Sequence, residues 1–349
     1  MTSSITRDSV TIDGLDRQLI RALQLSPRAP FSRIAEHLAA SEQTIARRYR
    51  RLRSDGVLRV TGAVDPRALG QSDWLLRVRC RPDGASQLGL ALARRDDVAW
   101  VSISAGGSEV VCALHSRSQA ERDDLLVQRL PHTSAVLGIA ASVILHRFVG
   151  AHSSDWAGVR DALEPDQVRR LTATATVSSG KTSELEPLDH TLLDLLARDG
   201  RTSYVVLARA AGITEGQVVR RVEAMQSSGV LYFDIDLAGV ALGFPTSAYL
   251  WLTVTPAQLE AVGSALAQHD EVPFAAAVSG PANLVASVTC QSLDHLYGYV
   301  TTKIAAIAGV QSLEISPVLR RIKQAGALMD GDRLANPTPA AQRRRDKRL

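Results

Sequence analysis

The stretch SEQTIARRYRRLRSDGVL, residues 41–58, predicts a short basic helix with a defined start and end. Ser41 is a favourable N-cap, because its hydroxyl accepts a hydrogen bond from a first-turn backbone N–H that has no partner within the helix. Apolar residues recur at helical spacing and predict one buried face: Ile45, Tyr49 and Leu52. Arginines fill the other faces, and Gly56 is predicted to end the helix.

A second short helix is predicted directly before this one, at residues 31–39. Its apolar stripe consists of Ile34, Ala35 and Leu38, and its connection to the Ser41 cap is tight. Two short helices joined so closely form a helix-turn-helix. In that motif the second helix enters the major groove of double-stranded DNA, with its N-terminal residues at base edges and basic residues further along at phosphates.

The motif places candidate DNA contacts on the second helix. The candidate base readers are Ser41, Gln43, Thr44 and Arg47, and the candidate phosphate contacts are Arg48, Arg50 and Arg51. An amphipathic helix with a solvated arginine face is the simpler interpretation. Five arginines within seven positions, beside a capped helix pair, favour DNA binding.

Length and composition are those of a multidomain globular protein. The chain has 349 residues, of which 45% are apolar and 22% charged. The longest apolar runs, such as residues 136–145, fall short of the roughly 20 residues that a bilayer helix needs. Because the N-terminus has no apolar core of a signal peptide, the sequence predicts a cytoplasmic protein without a membrane partner.

Cysteine and histidine are scattered, so no metal site and no cofactor is predicted. Basic charge, in contrast, is concentrated in two segments. Residues 15–58 contain nine Arg against four acidic residues, and residues 333–349 contain five Arg and one Lys against one Asp. This distribution is typical of a DNA-contacting element with an added basic arm, although the last segment would equally serve as a solubilising end.

The chain repeats itself at an offset of 173 residues. LDRQLIRAL at 15–23 matches LDHTLLDLL at 188–196, and the same offset aligns Arg28 with Arg201 without a gap. The second helix-turn-helix has candidate DNA contacts at Thr214, Gln217, Arg220 and Arg221. Residues 188–231 carry equal numbers of Arg and acidic residues, and Gly216 weakens the helix, so this copy is predicted to be the weaker reader or structural.

Each repeat continues from an apolar stretch, predicted to pair as a wing strand, into a strand–helix–strand–strand–helix–strand pattern. Predicted strands lie at 74–81, 98–105, 109–116 and 136–148 in the first repeat and at 246–254, 272–279, 283–289 and 310–319 in the second. Predicted helices lie at 85–94, 118–130, 257–269 and 292–304. This order is the ferredoxin-like split βαβ arrangement, which leaves one sheet face to be covered by a partner.

The predicted fold class is therefore α+β, with two winged helix-turn-helix domains alternating with two ferredoxin-like domains. The predicted boundaries are a tail at 1–14, a helix-turn-helix domain at 15–70, a ferredoxin-like domain at 71–150, a linker with a short helix at 151–186, a second helix-turn-helix domain at 187–243, a second ferredoxin-like domain at 244–332 and a basic disordered tail at 333–349.

This order, with SEQTIARRYRRLRSDGVL followed by GAVDPRALG at 62–70, resembles the Lrp/AsnC family of feast/famine transcriptional regulators. The resemblance implies a winged helix-turn-helix that reads DNA and a module that binds a small-molecule, amino-acid-like effector and dimerises sheet on sheet. A tandem chain then corresponds to such a dimer in one polypeptide. Pairing between chains, as a homo-oligomer, would cover the same surfaces.

The family's effector module carries a T-G-x-x-D turn near its ligand pocket. The matching stretches are AGGSE at 105–109 and SGPAN at 279–283. The resemblance therefore makes Gly106, Glu109, Gly280 and Asn283 the candidate effector-binding residues, with Glu109 and Asn283 standing where the family usually has aspartate. A glycine-containing turn is also what any hairpin requires.

Two other functions are open at this stage. Siroheme decarboxylases have a similar build, and an enzyme of that kind would need arginines and a histidine around a tetrapyrrole. The histidines in suitable places are His115, His132, His146 and His295. The arginine-rich second helix argues against an enzyme. A degenerate paralogue that only associates with other family members would suit the neutral second motif but not the basic first one.

Overall fold

The structure is a computed structural model that describes residues 11–115, 118–150, 156, 158–172 and 185–335. Its fold is α+β, as predicted. The helices are α1 Gly14–Leu25, α2 Phe31–His37, α3 Glu42–Ser54, α4 Ala85–Ala93, α5 Gln119–Asp123, α6 Pro165–Thr172, α7 Pro187–Arg198, α8 Tyr204–Ala211, α9 Glu215–Ser227, α10 Leu259–Leu266 and α11 Leu293–Gly298. The strands are β1 Leu58–Val64, β2 Asp73–Cys80, β3 Val98–Ser104, β4 Glu109–His115, β5 Val136–Val149, β6 Leu231–Leu237, β7 Thr246–Val254, β8 Phe274–Val278, β9 Leu284–Cys290, β10 Val310–Gln324, β11 Ala327–Asp330 and β12 Arg333–Leu334.

Both helix-turn-helix units form as predicted from their caps. The Ser41 side chain accepts from the backbone N–H of Thr44 and starts α3, and Thr214 does the same with Gln217 at α9. Ile45, Tyr49 and Leu52 are buried in the first unit's core. The first predicted tail is too long, because Asp13 already caps α1 and Gly14 lies within it.

The two wing strands pair with each other. β1 and β6 run antiparallel, with Leu58 opposite Leu237 and Val64 opposite Leu231. This two-stranded sheet joins the first helix-turn-helix unit to the second. The two units therefore stand as a pair within one polypeptide.

Each ferredoxin-like module forms a four-stranded antiparallel sheet. The strand order is β5-β2-β4-β3 in the first module and β10-β7-β9-β8 in the second. β5 continues past its own module to pair with β8, and β10 continues to pair with β3. These reciprocal pairings close the eight strands into a ring.

The two sheet faces that were predicted to need a partner pack against each other within this chain. A core cluster between them combines Leu75, Val111 and Ile144 of the first module with Tyr249, Trp251, Ala276, Val278 and Val285 of the second. Separate cores lie between each sheet and its own helices. No helix in the described part of the chain is long and apolar enough to cross a membrane.

Three segments differ from their predicted structure. The helices predicted at 118–130 and 292–304 each change to π-helix after one or two turns, at 124–129 and 299–304. Residues 158–172, part of the predicted linker, contribute Val159, Leu163 and Leu171 to the core of the first helix-turn-helix unit. The rest of that linker at 151–155, 157 and 173–184 lies outside the described residues.

A C-terminal hairpin was not predicted. β10 runs five residues beyond its predicted end, to Gln324, and β11 and β12 follow it. The predicted tail therefore starts too early, because Arg333 and Leu334 form β12. Residues 336–349 of that tail lie outside the described residues.

Candidate nucleic-acid interface

The N-terminal turn of α3 presents polar side chains on an exposed surface. Gln43 is exposed. The Ser41 hydroxyl accepts from the Thr44 backbone N–H at 3.1 Å and lies 2.8 Å from the Thr44 hydroxyl. Ser41 and Thr44 thus stabilise the start of the helix, while the exposed Gln43 side chain makes no hydrogen bond to a described residue.

Arg47 and Arg50 form the exposed basic face of α3. Arg50 Nε donates to the backbone carbonyl of Ala46 at 3.2 Å, one turn back in the same helix. Neither guanidinium enters an ion pair with a described residue. Both charges are therefore available to an external anion.

Arg48 and Arg51, in contrast, fasten α3 to the start of α1. Arg48 Nη1 lies 2.7 Å from Asp13 Oδ2 and 2.9 Å from Asp16 Oδ1, and Arg51 also pairs with Asp16. The Asp16 side chain is fully buried. Hydrogen bonding to Arg48 lowers the pKa of Asp13. These two arginines therefore stabilise the packing of α3 against α1 in the same domain.

The second unit repeats the Arg48 contact, while Ala224 stands at the position that matches Arg51. Arg221 lies 2.6 Å from Asp189 and 2.9 Å from Glu186, at the positions that match Arg48, Asp16 and Asp13. Gln217 accepts from the backbone N–H of Thr214 at 2.9 Å and so acts as the reciprocal partner of the cap. Of the four candidates in this unit, only the exposed Arg220 lacks an ion pair or capping bond to a described residue.

Two arginines that were not candidate site residues join the units to each other. Arg28 donates to the backbone carbonyls of Gly200 and, at 3.1 Å, Thr202. Arg201 donates to the carbonyls of Pro27 at 2.6 Å and Ala29 at 2.8 Å. The sequence signal for this contact was the alignment of Arg28 with Arg201 in the repeat, but it did not reveal their partners.

The first candidate effector turn lies at the junction of the two modules. Gly106 is exposed at φ +66°. Glu109 is buried and pairs at 2.9 Å with Arg77, which also pairs with Glu314 and lies 4.3 Å above the centre of the Trp251 ring. The Glu109 carboxylate is therefore already neutralised by Arg77, a residue that contacts both modules.

Residues of the second candidate turn also make hydrogen bonds that stabilise the fold. The Asn283 side chain accepts from the Val254 backbone N–H and donates to its carbonyl, both at 2.8 Å. Ser279 exchanges hydrogen bonds with Val143 of β5, which places the exposed Gly280 beside the first module. The structure thus places the four candidate residues on two separate turns.

Comparisons with known proteins agree with this architecture. The AsnC-type helix-turn-helix domain matches residues 12–53 and again 185–226, and the Lrp/AsnC ligand binding domain matches residues 247–328. An uncharacterized HTH-type transcriptional regulator of Pyrococcus horikoshii is 30% identical over 152 residues, which are 43% of this chain and 96% of that protein. The regulatory protein AsnC of Escherichia coli K12 is 29% identical over 146 residues, 40% of this chain and 96% of its own length.

Among solved structures, the siroheme decarboxylase NirDL is similar over 90% of this chain and 93% of its own, with a TM-score of 0.60 and 13% sequence identity. At that identity the similarity shows a shared fold alone. The two helix-turn-helix matches and the ligand-binding match indicate one family, and the relatives are matched over nearly their full length. The chain belongs to the Lrp/AsnC family of helix-turn-helix transcriptional regulators.

Proposed function

We propose that the chain regulates transcription by binding double-stranded DNA through a helix-turn-helix pair supplied by one polypeptide. The observation that carries this proposal is the exposed basic face of α3 on a unit joined to its repeat by β1, β6 and two reciprocal arginines. A paired arrangement lets two recognition helices meet successive major grooves on one face of the duplex.

The arginines of α3 have different roles in this proposal. Arg47, one turn into the helix, and Gln43 read base edges, and Arg50 contacts phosphate. Arg48 and Arg51 keep α3 in position through Asp16, and their charge adds to the attraction for DNA. Arg220 makes the corresponding contact in the second unit.

We further propose that a small molecule binds at the module junction and shifts DNA affinity. The ligand-binding family model covers the second module, including Gly280 and Asn283. Gly106 and Gly280 offer exposed turns. The first turn lies against Leu319 of β10 at Gly107, and Gly280 lies beside Ser142 of β5. A thermal-shift screen of amino acids, followed by DNA binding with each hit, tests this, and a hit that leaves DNA affinity unchanged would contradict regulation.

The proposed regulator is a non-enzymatic protein of the cytoplasm. One chain supplies a complete pseudo-dimer, and association into larger homo-oligomers is compatible with it. Size-exclusion chromatography with light scattering gives the number of chains in the particle.

The decisive experiment measures binding to the DNA upstream of the chain's own gene and to a scrambled duplex, at two salt concentrations. We expect tight, sequence-preferring binding that weakens steeply with salt. The double variant R47A/R50A should lose that binding and reduce the salt slope, because each phosphate-contacting cation contributes about one unit of slope. R94A, which removes an exposed arginine of the first module, is the matched control.

A second candidate is an enzyme of the siroheme decarboxylase type, because the fold of NirDL is similar over 90% of this chain. The histidines fit that role poorly. His115 pairs with Asp73, His132 contacts the Gln128 carbonyl, His146 packs on Phe148, and His295 pairs with Glu271. Spectroscopic titration with an iron tetrapyrrole tests the enzyme, and saturable binding without sequence-specific DNA binding would favour it. Absence of both activities would favour a paralogue that only associates with relatives.

A further inference from the structure

We infer that the two recognition helices read different half-sites, so that the chain binds an asymmetric DNA sequence in one fixed orientation. The inference rests on the proposed DNA-binding function and specifies its ligand. A dimer of identical chains presents two identical helices and therefore reads a palindrome. Duplication within one polypeptide removes that constraint, and here the two helices have diverged.

The divergence is concentrated on exposed positions. Arg50 is matched by Glu223, Arg51 by Ala224 and Gln43 by Gly216, and all six residues are exposed. The formal charge of Glu42–Ser54 is +4, whereas that of Glu215–Ser227 is zero. A glutamate in place of Arg50 repels the phosphate that an arginine there attracts.

The frameworks that hold the two helices share one of their arginine contacts, while the Arg51–Asp16 pair is not repeated because Ala224 stands at the matching position. Arg48 pairs with Asp13 and Asp16, and Arg221 makes the same pairs with Glu186 and Asp189. Both helices start from a hydroxyl cap. The two helices are therefore held in a similar way but expose different side chains, as two helices that read different half-sites require.

The C-terminal hairpin increases the difference, because it contacts the end of α3 and the described residues show no matching contact at the end of α9. The Leu334 backbone N–H donates to the Gly56 carbonyl at 2.9 Å, just beyond the end of α3. Around Gly229, the matching residue after α9, no described residue other than its chain neighbours comes within 4 Å of where a Cβ would stand. The sequence after Ala335 contains four Arg and one Lys against one Asp. Ala335, the last described residue, lines a cavity with Ser54, Asp55 and Gly56 at the end of α3.

Selection from a random duplex library tests the asymmetry. With the full chain we expect enriched sequences with two unlike conserved halves. Conserved bases in one half alone would show that the other helix reads no sequence and would overturn the inference. E223R should bind the selected site about tenfold tighter at low salt, since it restores the cation missing from α9. An enriched inverted repeat with equal halves would overturn the inference while supporting DNA binding. No enriched sequence at all would instead reject the proposed function.

Directed cleavage tests the fixed orientation. Ser54 and Ser227 are matched exposed residues at the ends of α3 and α9, and the native cysteines Cys80, Cys112 and Cys290 are buried. S54C and S227C, each carrying an iron chelate that cleaves DNA nearby, should cut opposite ends of the selected site. Equal cutting of both ends by each variant would show that the chain binds in both orientations and would overturn the inference.

Discussion

Arg28 and Arg201 occupy matched positions in the two repeats, and each donates hydrogen bonds to backbone carbonyls of the other helix-turn-helix unit. Each also lies over aromatic rings. The Arg28 guanidinium is 4.8 Å from the ring centre of Tyr204, and that of Arg201 is 4.3 Å from the ring centre of Phe31. Because Phe31 and Tyr204 are themselves matched, the two units form a pseudo-symmetric interface built from one contact made twice.

Loss of Arg201 should weaken this interface. R201A removes charged donors from two carbonyls at a half-buried contact, and we expect it to cost about 1.5–3 kcal/mol of stability. Urea unfolding followed by tryptophan fluorescence measures the change. R94A should stay within about 0.5 kcal/mol of the parent chain. Equal unfolding curves for R201A and the parent would show that β1 and β6 alone hold the pair.

Neighbouring arginines of α3 should behave oppositely. R47A should leave the unfolding midpoint almost unchanged and cost about 1–3 kcal/mol of DNA binding. R48A should lower the midpoint, because the buried Asp16 carboxylate loses one of its two cations.

The second unit supplies matched controls for that comparison. R221A should destabilise more than R48A, because the buried Asp189 loses the one cation that pairs with it among the described residues. R220A should be as stable as R47A. Thermal unfolding of the four variants, with DNA affinities measured on those that fold, checks both expectations. A stable R48A with reduced DNA affinity would reverse the assignment of roles.

Asp236 should make stability depend on pH. It lies in β6 directly opposite Arg59 of β1, and burial raises the pKa of its carboxyl from 3.8 to about 8. Between about pH 4 and pH 8, Asp236 is therefore protonated in the folded chain and ionised in the unfolded chain. The stabilisation that protonation gives is complete below about pH 4 and is lost as the pH rises toward 8.

The variant D236N should flatten that part of the profile, because an amide does not titrate. Unfolding midpoints at about pH 5 and about pH 8 measure the effect for the parent chain, for D236N and for D83N, which changes an exposed aspartate. The D83N profile should follow the parent. A D236N profile parallel to that of the parent would place the titrating group elsewhere.

Alanine variants at Gly56 and Gly229 distinguish the cost of a strained backbone from the cost of a clash with the hairpin. Both have positive φ, +67° and +75°. G229A should cost about 1–2 kcal/mol, because its side chain enters open space and only the left-handed backbone is strained. G56A should cost more, since its Cβ would lie 2.5 Å from the Leu334 carbonyl oxygen.

Limited trypsin digestion gives the readout specific to the hairpin. G56A should be cut faster at Arg333 than the parent chain, whereas G229A should match the parent there. Equal cleavage in all three proteins would mean that the hairpin does not depend on its contact with Gly56.

Local patterns in the sequence determined the order of the elements. Hydroxyl caps, the spacing of Ile45, Tyr49 and Leu52, and strand alternation act over a few residues, so they predicted both helix-turn-helix units and both modules. The repeat itself was visible because the offset of 173 residues has no gap across those units. Family membership followed from the same stretches.

Only the tertiary structure decided which edges and charges meet. Alternating apolar residues predict a strand but not its neighbour, so the pairing of β1 with β6 and the crossing of β5 and β10 into the opposite modules depend on contacts between distant parts of the chain. The same holds for charge. Arg47 and Arg48 are adjacent and chemically identical, yet only Arg48 reaches the carboxylates at the start of α1, because helix rotation turns the two side chains about 100° apart.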